Sequence, residues 1–363
     1  MDFRPSAPQQ LLVATARDYL RRHCPIERVQ ALAGDPRGMD DTLWRGMAEL
    51  GWQGLLVPAA HGGSGGSLLD ALLLVEAMGG AAVPGPFIPS AVVATSLLAA
   101  GAEEPRKRLL PAMAVGDRIA TVAIVEERGT FDPDAITLTP DARGRVTGRK
   151  LFVPHAHVAD DILVVLRDGV VIVPADRPGL ARTPLDTLSG EKLFALSFDG
   201  VALGGDDWLV RGGRDAVVRA LEAGALARTA EMVGLAQRAL DITVEHAKTR
   251  VQGGRPIGGH QAIQHACADL VRDVDASRAL LYVAGWEASA RRDAGGAIAT
   301  AKAYAGEACL AVARRGHQIL GAISYCDEHP MHLVHKRIHA ASLDCGDAAL
   351  HLETVARAIG LES

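Results

Sequence analysis

The chain has 363 residues, 48% of them hydrophobic: long enough for two or three packed layers around a large core and too apolar for a disordered protein. A formal net charge of −5 and an aromatic content of 4% argue against a surface that attracts nucleic acid as a whole or stacks its bases. The five cysteines (Cys24, Cys267, Cys309, Cys326 and Cys345) are odd in number, scattered, and form no C-x-x-C pair, which points to reduced thiols in a cytoplasmic protein.

The polar start MDFRPSAPQQ lacks the apolar stretch of a secretory signal. Residues 1–118 read as helices. Leu12, Ala16, Tyr19 and Leu20 recur at helical spacing, and LWRGMAELGWQGLLVP gives a second helix that stops near Gly51. HGGSGGS is a glycine-rich loop; with no strand before it and no Lys-Ser/Thr after it, it is not a P-loop. SLLDALLLVEAMGG is an amphipathic helix with a Gly-Gly stop. Residues 77–102 are uncharged, but their Gly and Pro residues would break a lipid-facing helix, so a buried turn followed by a core helix is expected and no membrane span.

From 119 to 210 the pattern changes to short β-rich runs: TVAIV, RVTGRKLFV, DILVVL, GVVIVP and KLFALSFDGVAL, with DGV at Asp168 a hairpin tip. A small antiparallel β domain of sandwich or barrel kind follows. Residues 211–363 are helical again, in four long segments with short connections that suggest an up-down bundle.

Two junctions between these apolar segments are chemically distinctive: RVQGGRPIGGHQAIQHACADL at 250–270 and QILGAISYCDEHPMHLVHKR at 318–337. A guanidinium suits phosphate, amides suit polar edges, and glycines admit close backbone approach. Together they suit an extended anionic ligand, a dinucleotide or similar phosphate-bearing cofactor, between helical elements.

These stretches resemble the acyl-CoA dehydrogenase family. TRVQGGRPIGGHQAIQHACADL is close to its R-x-Q-F-G-x-P-I-x-x-F-Q-A-x-Q-H segment, and QILGAISYCDEHP to Q-x-x-G-G-x-G-[FY]-x-x-E. AELGWQGLLVPAAHGGSGGS and GRKLFVPHAHVADDILVV resemble its N-terminal and middle segments. The resemblance implies a mainly α fold with a β middle domain: an N-terminal helical domain, an antiparallel β domain and a C-terminal four-helix bundle. It also implies FAD at a subunit interface, an acyl-CoA thioester substrate, and an electron-transfer flavoprotein or similar acceptor. Arg250 matches the arginine that meets the FAD pyrophosphate of a neighbouring subunit, Gln252 keeps the motif's amide, and His260 and Gln261 stand at further FAD contacts. Gln318 and Gly321 match residues near the adenine half. Gly253 replaces a usual Phe; Ala322 and Ser324 replace usual glycines.

Two departures matter more. Where the family reads T-E-P-x-x-G-S-D, to hold the flavin pyrimidine ring, this chain reads VEERGTFDPD, keeping Glu126 and, with a shift, Gly129 and Thr130. The catalytic base is unassigned: the usual Glu position is held by Cys345, and the alternative family position falls on Gly224. Glu222 lies two residues from it, about 200° around a helix and so on the opposite face. A thiol is a poor partner for a weakly acidic C–H. Glu231 and Glu328 are weak candidates, read first as an ion-pair partner of Arg228 and as a buried structural carboxylate near His329 and His332. The histidines 329, 332, 335 and 339 recur at helical spacing, but Lys336 and Arg337 share their turns and no metal site is expected.

Keeping the cross-interface contacts while losing the flavin-cradling loop and the base resembles the shorter subunits of heteromeric acyl-CoA dehydrogenases of steroid side-chain degradation. The expectation is an α2β2 enzyme with a longer homologous partner. The alternatives are a self-sufficient homodimer or tetramer with a relocated base, and a family-shaped scaffold or binding protein without chemistry.

Overall fold

A computed structural model of the chain describes residues 5–290 and 293–361; the first four residues of the polar start lie outside them. The chain divides into two compact units, one of residues 32–67 and 84–224, the other of residues 1–31, 68–83 and 225–363.

In the first unit, α3 (Asp41–Glu49) is capped by the Asp40 carboxylate, which accepts from the N–H groups of Thr42 and Leu43. The run from Ile88 enters a helix through a buried π-helical turn (Ile88–Ala94) and continues as α5 (Thr95–Ala99), with Pro84, Gly85 and Pro86 in the turn before it. Among the described residues no helix is long and apolar enough to cross a membrane. α6 (Glu103–Ala114) was not legible in the sequence, because it carries Pro105 and an interior Pro111.

The β part forms two sheets that share one core. β1 (Ala120–Ala123), β3 (Asp161–Leu166), β4 (Gly169–Pro174) and β7 (Trp208–Arg211) lie in the order β1-β3-β4-β7; β2 (Arg145–Pro154), β6 (Leu193–Ala202) and β5 (Leu180–Leu185) form the second, β2-β6-β5. Side chains from both, including Ile162, Val164, Val171, Phe194, Leu196 and Val201, pack together as a sandwich. β3 is buried along its whole length and β4 up to Val173, which is why they read as unbroken apolar runs, and Arg167 and Asp168 form the turn between them. The pairing is antiparallel except that β1 lies parallel to β3, a departure from the purely antiparallel expectation. It arises because the chain crosses to the second sheet as β2 before returning. β5, LARTPL, is an exposed edge strand whose polar residues and proline hid it from the sequence reading.

The second unit contains α1 (Ala7–His23), closed at its start by a reciprocal Ser6–Gln9 capping box. A short α2 (Ile26–Gly34), unassigned from sequence, spans the division between the units. α4 (Leu68–Gly80) crosses the long α7 (Arg214–Thr249) backbone to backbone. A Cβ on Gly234 would come within 2.1 Å of the Glu76 carbonyl oxygen, and one on Gly79 within 2.4 Å of that of Glu231. α8 (Gln261–Ser289) and α9 (Gly295–Leu320) follow as expected. The last predicted helix is two: α10 (Met331–Leu343) and α11 (Ala348–Ala358). The break falls where Cys345 and Gly346 take positive φ of 56° and 100° and Asp347 caps the new helix through the Leu350 N–H. Helical periodicity carries on through the turn, so it gave no sign of this.

Candidate functional site

Residues 250–261 form one compact junction between α7 and α8. Arg250 ends the helix, its N–H bonded to His246 O at 2.8 Å, and Ile257 N–H returns to Arg250 O at 2.8 Å. Between them β8 (Val251–Gln252) pairs with β9 (Arg255–Pro256). Gly253 and Gly254 make the two-residue turn with φ of 65° and 80°, and a Cβ at either would meet no atom of the described residues beyond its chain neighbours within 4 Å. Such a turn requires left-handed backbone at both positions. Gly253 therefore has a conformational reason to be where the family pattern has Phe.

Arg250, Gln252 and Gln261 are exposed and His260 half-buried. Among the described residues Arg250 makes no ion pair, so its guanidinium is available to an external anion. Arg255 reaches His260 Nδ1 at 3.1 Å. His260 occupies the N-cap of α8 without a side-chain capping bond, leaving the first N–H groups of that helix open at the same edge. The donor set is one that suits phosphate oxygens.

Gln318, near the C-terminus of α9, and Gly321, which ends it with φ 74°, are exposed. No hydrogen bond joins this pair to the first set among the described residues. Burial and then the Arg250 charge lower the His246 pKa, while burial and then His246 lower that of His329. Ser324, at a usual glycine position, is buried and donates to Gly321 O at 2.7 Å while its Oγ lies 2.7 Å from His317 Nδ1. His317 stacks on Tyr325 and has its pKa pulled down to about 4, by burial and then by the neighbouring histidines. His329 accepts from the Met331 N–H, and His332 lies 3.2 Å from Asp327 O. These imidazoles brace the turn before α10, and among the described residues no group of three potential metal ligands converges.

Cys345 sits in the α10–α11 turn, buried, its thiol pKa pushed far up by burial and by Asp344. A thiol so held is no general base. Its surroundings are a charged network the sequence reading did not assemble. Arg228 donates to Asp344 Oδ2 at 2.6 Å and to Glu231 Oε2 at 2.8 Å, and Arg337 donates to Glu231 Oε1 at 2.6 Å. Burial opposes charge on Glu231, but the two guanidiniums outweigh it and lower its pKa. The fully buried Lys302 ties the turn by donating to Ser342 O at 2.8 Å and Gly346 O at 2.7 Å, and burial draws its pKa down to about 8. Its only sequence signal was one lysine in an otherwise apolar stretch of α9. Glu328, expected to be buried, is exposed, because the chain passes it through a surface turn between α9 and α10.

In the other unit the loop VEERGT is closed on itself. Glu126 accepts from the Thr137 N–H (2.9 Å), Thr137 Oγ1 (2.6 Å), the Leu138 N–H (3.0 Å) and Lys150 Nζ (2.8 Å). Lys150, 0% exposed, also donates to Ile124 O. Glu127 pairs with Arg149 at the surface, and Thr130 Oγ1 accepts from the Asp132 N–H. The side chains that remain from the family's cradle are thus engaged within the chain. Sequence reasoning also missed Phe152, 49% exposed with φ 54° at an irregularity in β2: a strained, outward-facing aromatic that no propensity marks.

Burial would raise the Glu126 pKa, but the four donors hold it down at about 2. A carboxylate depressed from about 4.3 stabilises the fold above that pH, and the contribution disappears as pH falls through 2. Between pH 5 and 2 the native chain is expected to lose on the order of 2–3 kcal/mol from this group. Glu126→Gln, followed by urea unfolding across that range, should show a correspondingly flatter acid limb.

Residues 6–117 match the family described as acyl-CoA dehydrogenase, N-terminal domain, and residues 211–360 the acyl-CoA dehydrogenase, C-terminal domain. Acyl-CoA dehydrogenase IpdE2 of Mycolicibacterium smegmatis is 31% identical over 340 residues, covering 93% of this chain and 94% of that protein. Among solved structures, a chain of the ChsE4-ChsE5 complex from Mycobacterium tuberculosis superposes with a TM-score of 0.92 at 28% identity, all of both chains being covered. A chain of the Tcur3481-Tcur3483 steroid ACAD gives 0.87 at 30% identity, with 98% of each covered. Matched helical domains at both ends and full-length likeness in fold make this chain a member of the acyl-CoA dehydrogenase family.

Proposed function

We propose that this chain is the accessory subunit of a heteromeric, FAD-dependent acyl-CoA dehydrogenase, closing a flavin site whose ring is seated by a longer homologous partner. The observation that carries the reading is the turn at Cys345. Where the family places a carboxylate base, this chain has a buried thiol beside a closed Arg228–Asp344–Glu231–Arg337 network. Glu231 is neutralised by two arginines and Glu328 faces solvent, so neither is poised to take a proton from a thioester α carbon.

The donor set of Arg250, Gln252, His260, Gln261, Gln318 and Gly321 fits the anionic and polar half of FAD, whereas Glu126, Glu127 and Thr130 of the 125–130 loop are engaged within the chain. When bound, the flavin accepts hydride from the β carbon of the acyl thioester. This chain's part is positional: the Arg250 guanidinium and the open α8 amides hold phosphate oxygens, and the glutamine amides orient polar edges. Two paired names among the similar structures, one of them a steroid enzyme, support an α2β2 assembly and a bulky acyl-CoA such as a steroid thioester. An electron-transfer flavoprotein or similar acceptor and a cytoplasmic setting belong to the same proposal.

The reading predicts that the purified chain alone shows no acyl-CoA dehydrogenation with an artificial electron acceptor, and that activity appears on co-expression with a longer homologue. Turnover by the chain alone would establish a self-sufficient enzyme. No turnover in either preparation, with folding intact, would establish a scaffold.

A further inference from the structure

The α1–α4–α7–α8 region lines a cavity, open to solvent and about 890 Å³ in volume, within the size range of small-molecule pockets. Its floor is a closed polar network. Glu76, buried, accepts from Arg278 Nε and from Tyr282 Oη, both at 2.8 Å. Arg278 also reaches Asp275 at 2.9 Å and Gln237 Oε1 at 2.9 Å, and the Gln237 amide donates to Asp241 at 2.9 Å. Arg278 is thereby paired with Glu76 and Asp275, and Asp241 is held by a neutral amide.

Two lining guanidiniums are different. Arg238 donates through Nη1 to Gly80 O at 3.0 Å, and its Nε is buried with no hydrogen-bond partner. Arg17, on α1, is exposed and makes no ion pair among the described residues. Burial works against the charge of Arg238; Glu27 and Asp241 offset it through space, but no carboxylate among the described residues pairs with it. Leu20, Ile26 and Ile242 supply an apolar side to the same cavity. In a chain of net charge −5, an apolar-sided cavity with two guanidiniums that make no ion pair among the described residues is a local exception.

We propose that this cavity binds a small amphipathic anion, with a carboxylate or phosphate head held by Arg238 and Arg17 and a short aliphatic tail lying on Leu20, Ile26 and Ile242. None of these residues belongs to the flavin-binding set or to the Cys345 network, so the site stands independently of the function proposed above.

The test is phenylglyoxal labelling of the enzyme in the assembly in which it is purified, read at Arg17 by peptide mass spectrometry with octanoate, octanol or inorganic phosphate present. Octanoate should slow labelling of Arg17 at least fivefold, octanol not at all, and phosphate less than twofold. Arg238→Gln should abolish the protection. Should that variant fail to fold, Ile242→Asn should weaken octanoate protection severalfold. Equal effects of octanoate and octanol, or no protection by any of the three, would overturn the site; phosphate matching octanoate would overturn its amphipathic character.

Discussion

Arg250→Met is expected to weaken flavin binding by the assembled enzyme roughly 30- to 150-fold while leaving the fold intact. The magnitude follows from a charge-assisted hydrogen bond to phosphate, about 2–3 kcal/mol, at about 1.4 kcal/mol per tenfold. The specificity follows from the side chain's position. It is exposed, makes no ion pair among the described residues, and stands at a helix end whose backbone bonds do not involve it. Surface substitutions of that kind change stability by about 0.5 kcal/mol or less. Arg250→Lys should recover part of the loss, since an ammonium restores charge without the planar fork. Titration of the apo-assembly with FAD, followed by fluorescence quenching, measures all three proteins. Unchanged affinity in the Met variant would remove Arg250 from the flavin site.

Glu231→Ala should cost about 3–5 kcal/mol of stability, more than Glu328→Ala or Arg250→Met. The carboxylate is 5% exposed and lies between Arg228 and Arg337. Its removal leaves two guanidiniums facing each other away from water. Arg337 also donates to Ala82 O and Val83 O, and Arg228 to Asp344, so the strain reaches the end of α4 and the Cys345 turn. Glu328→Ala, at an exposed position, should cost under about 0.5 kcal/mol. Urea midpoints of the two variants give the comparison. Were Glu231 instead the base, Glu231→Gln would abolish turnover of the assembled enzyme even under conditions where the variant is fully folded.

The parts of the fold that could be read from sequence were those where one local signal agrees with burial. DILVVL and GVVIVP are buried on both faces, α8 and α9 carry long periodic stripes, and α4 and α9 stop at glycine. What escaped was tertiary. α6 tolerates Pro111 inside a helix, and β5 is held by pairing with β6 although its side chains face water. The α10–α11 break depends on left-handed backbone at Cys345, a residue that rarely adopts it. The same division holds at the site. Arg250 and the glycine turn announce themselves by composition, whereas the Arg228–Asp344–Glu231–Arg337 network joins residues more than a hundred positions apart. Glu328 was assigned to the interior because histidines flank it, and charge density in sequence proved a poor guide to depth.

If this polypeptide grips flavin from one side only, the flavin-to-chain ratio must differ between the chain alone and its complex. Absorbance near 450 nm against protein mass is the measurement, made on this chain alone and on its co-purified complex. The account predicts no stoichiometric flavin on the chain alone and one flavin per pair of unlike chains in the complex. One flavin bound per copy of this chain in isolation would contradict it.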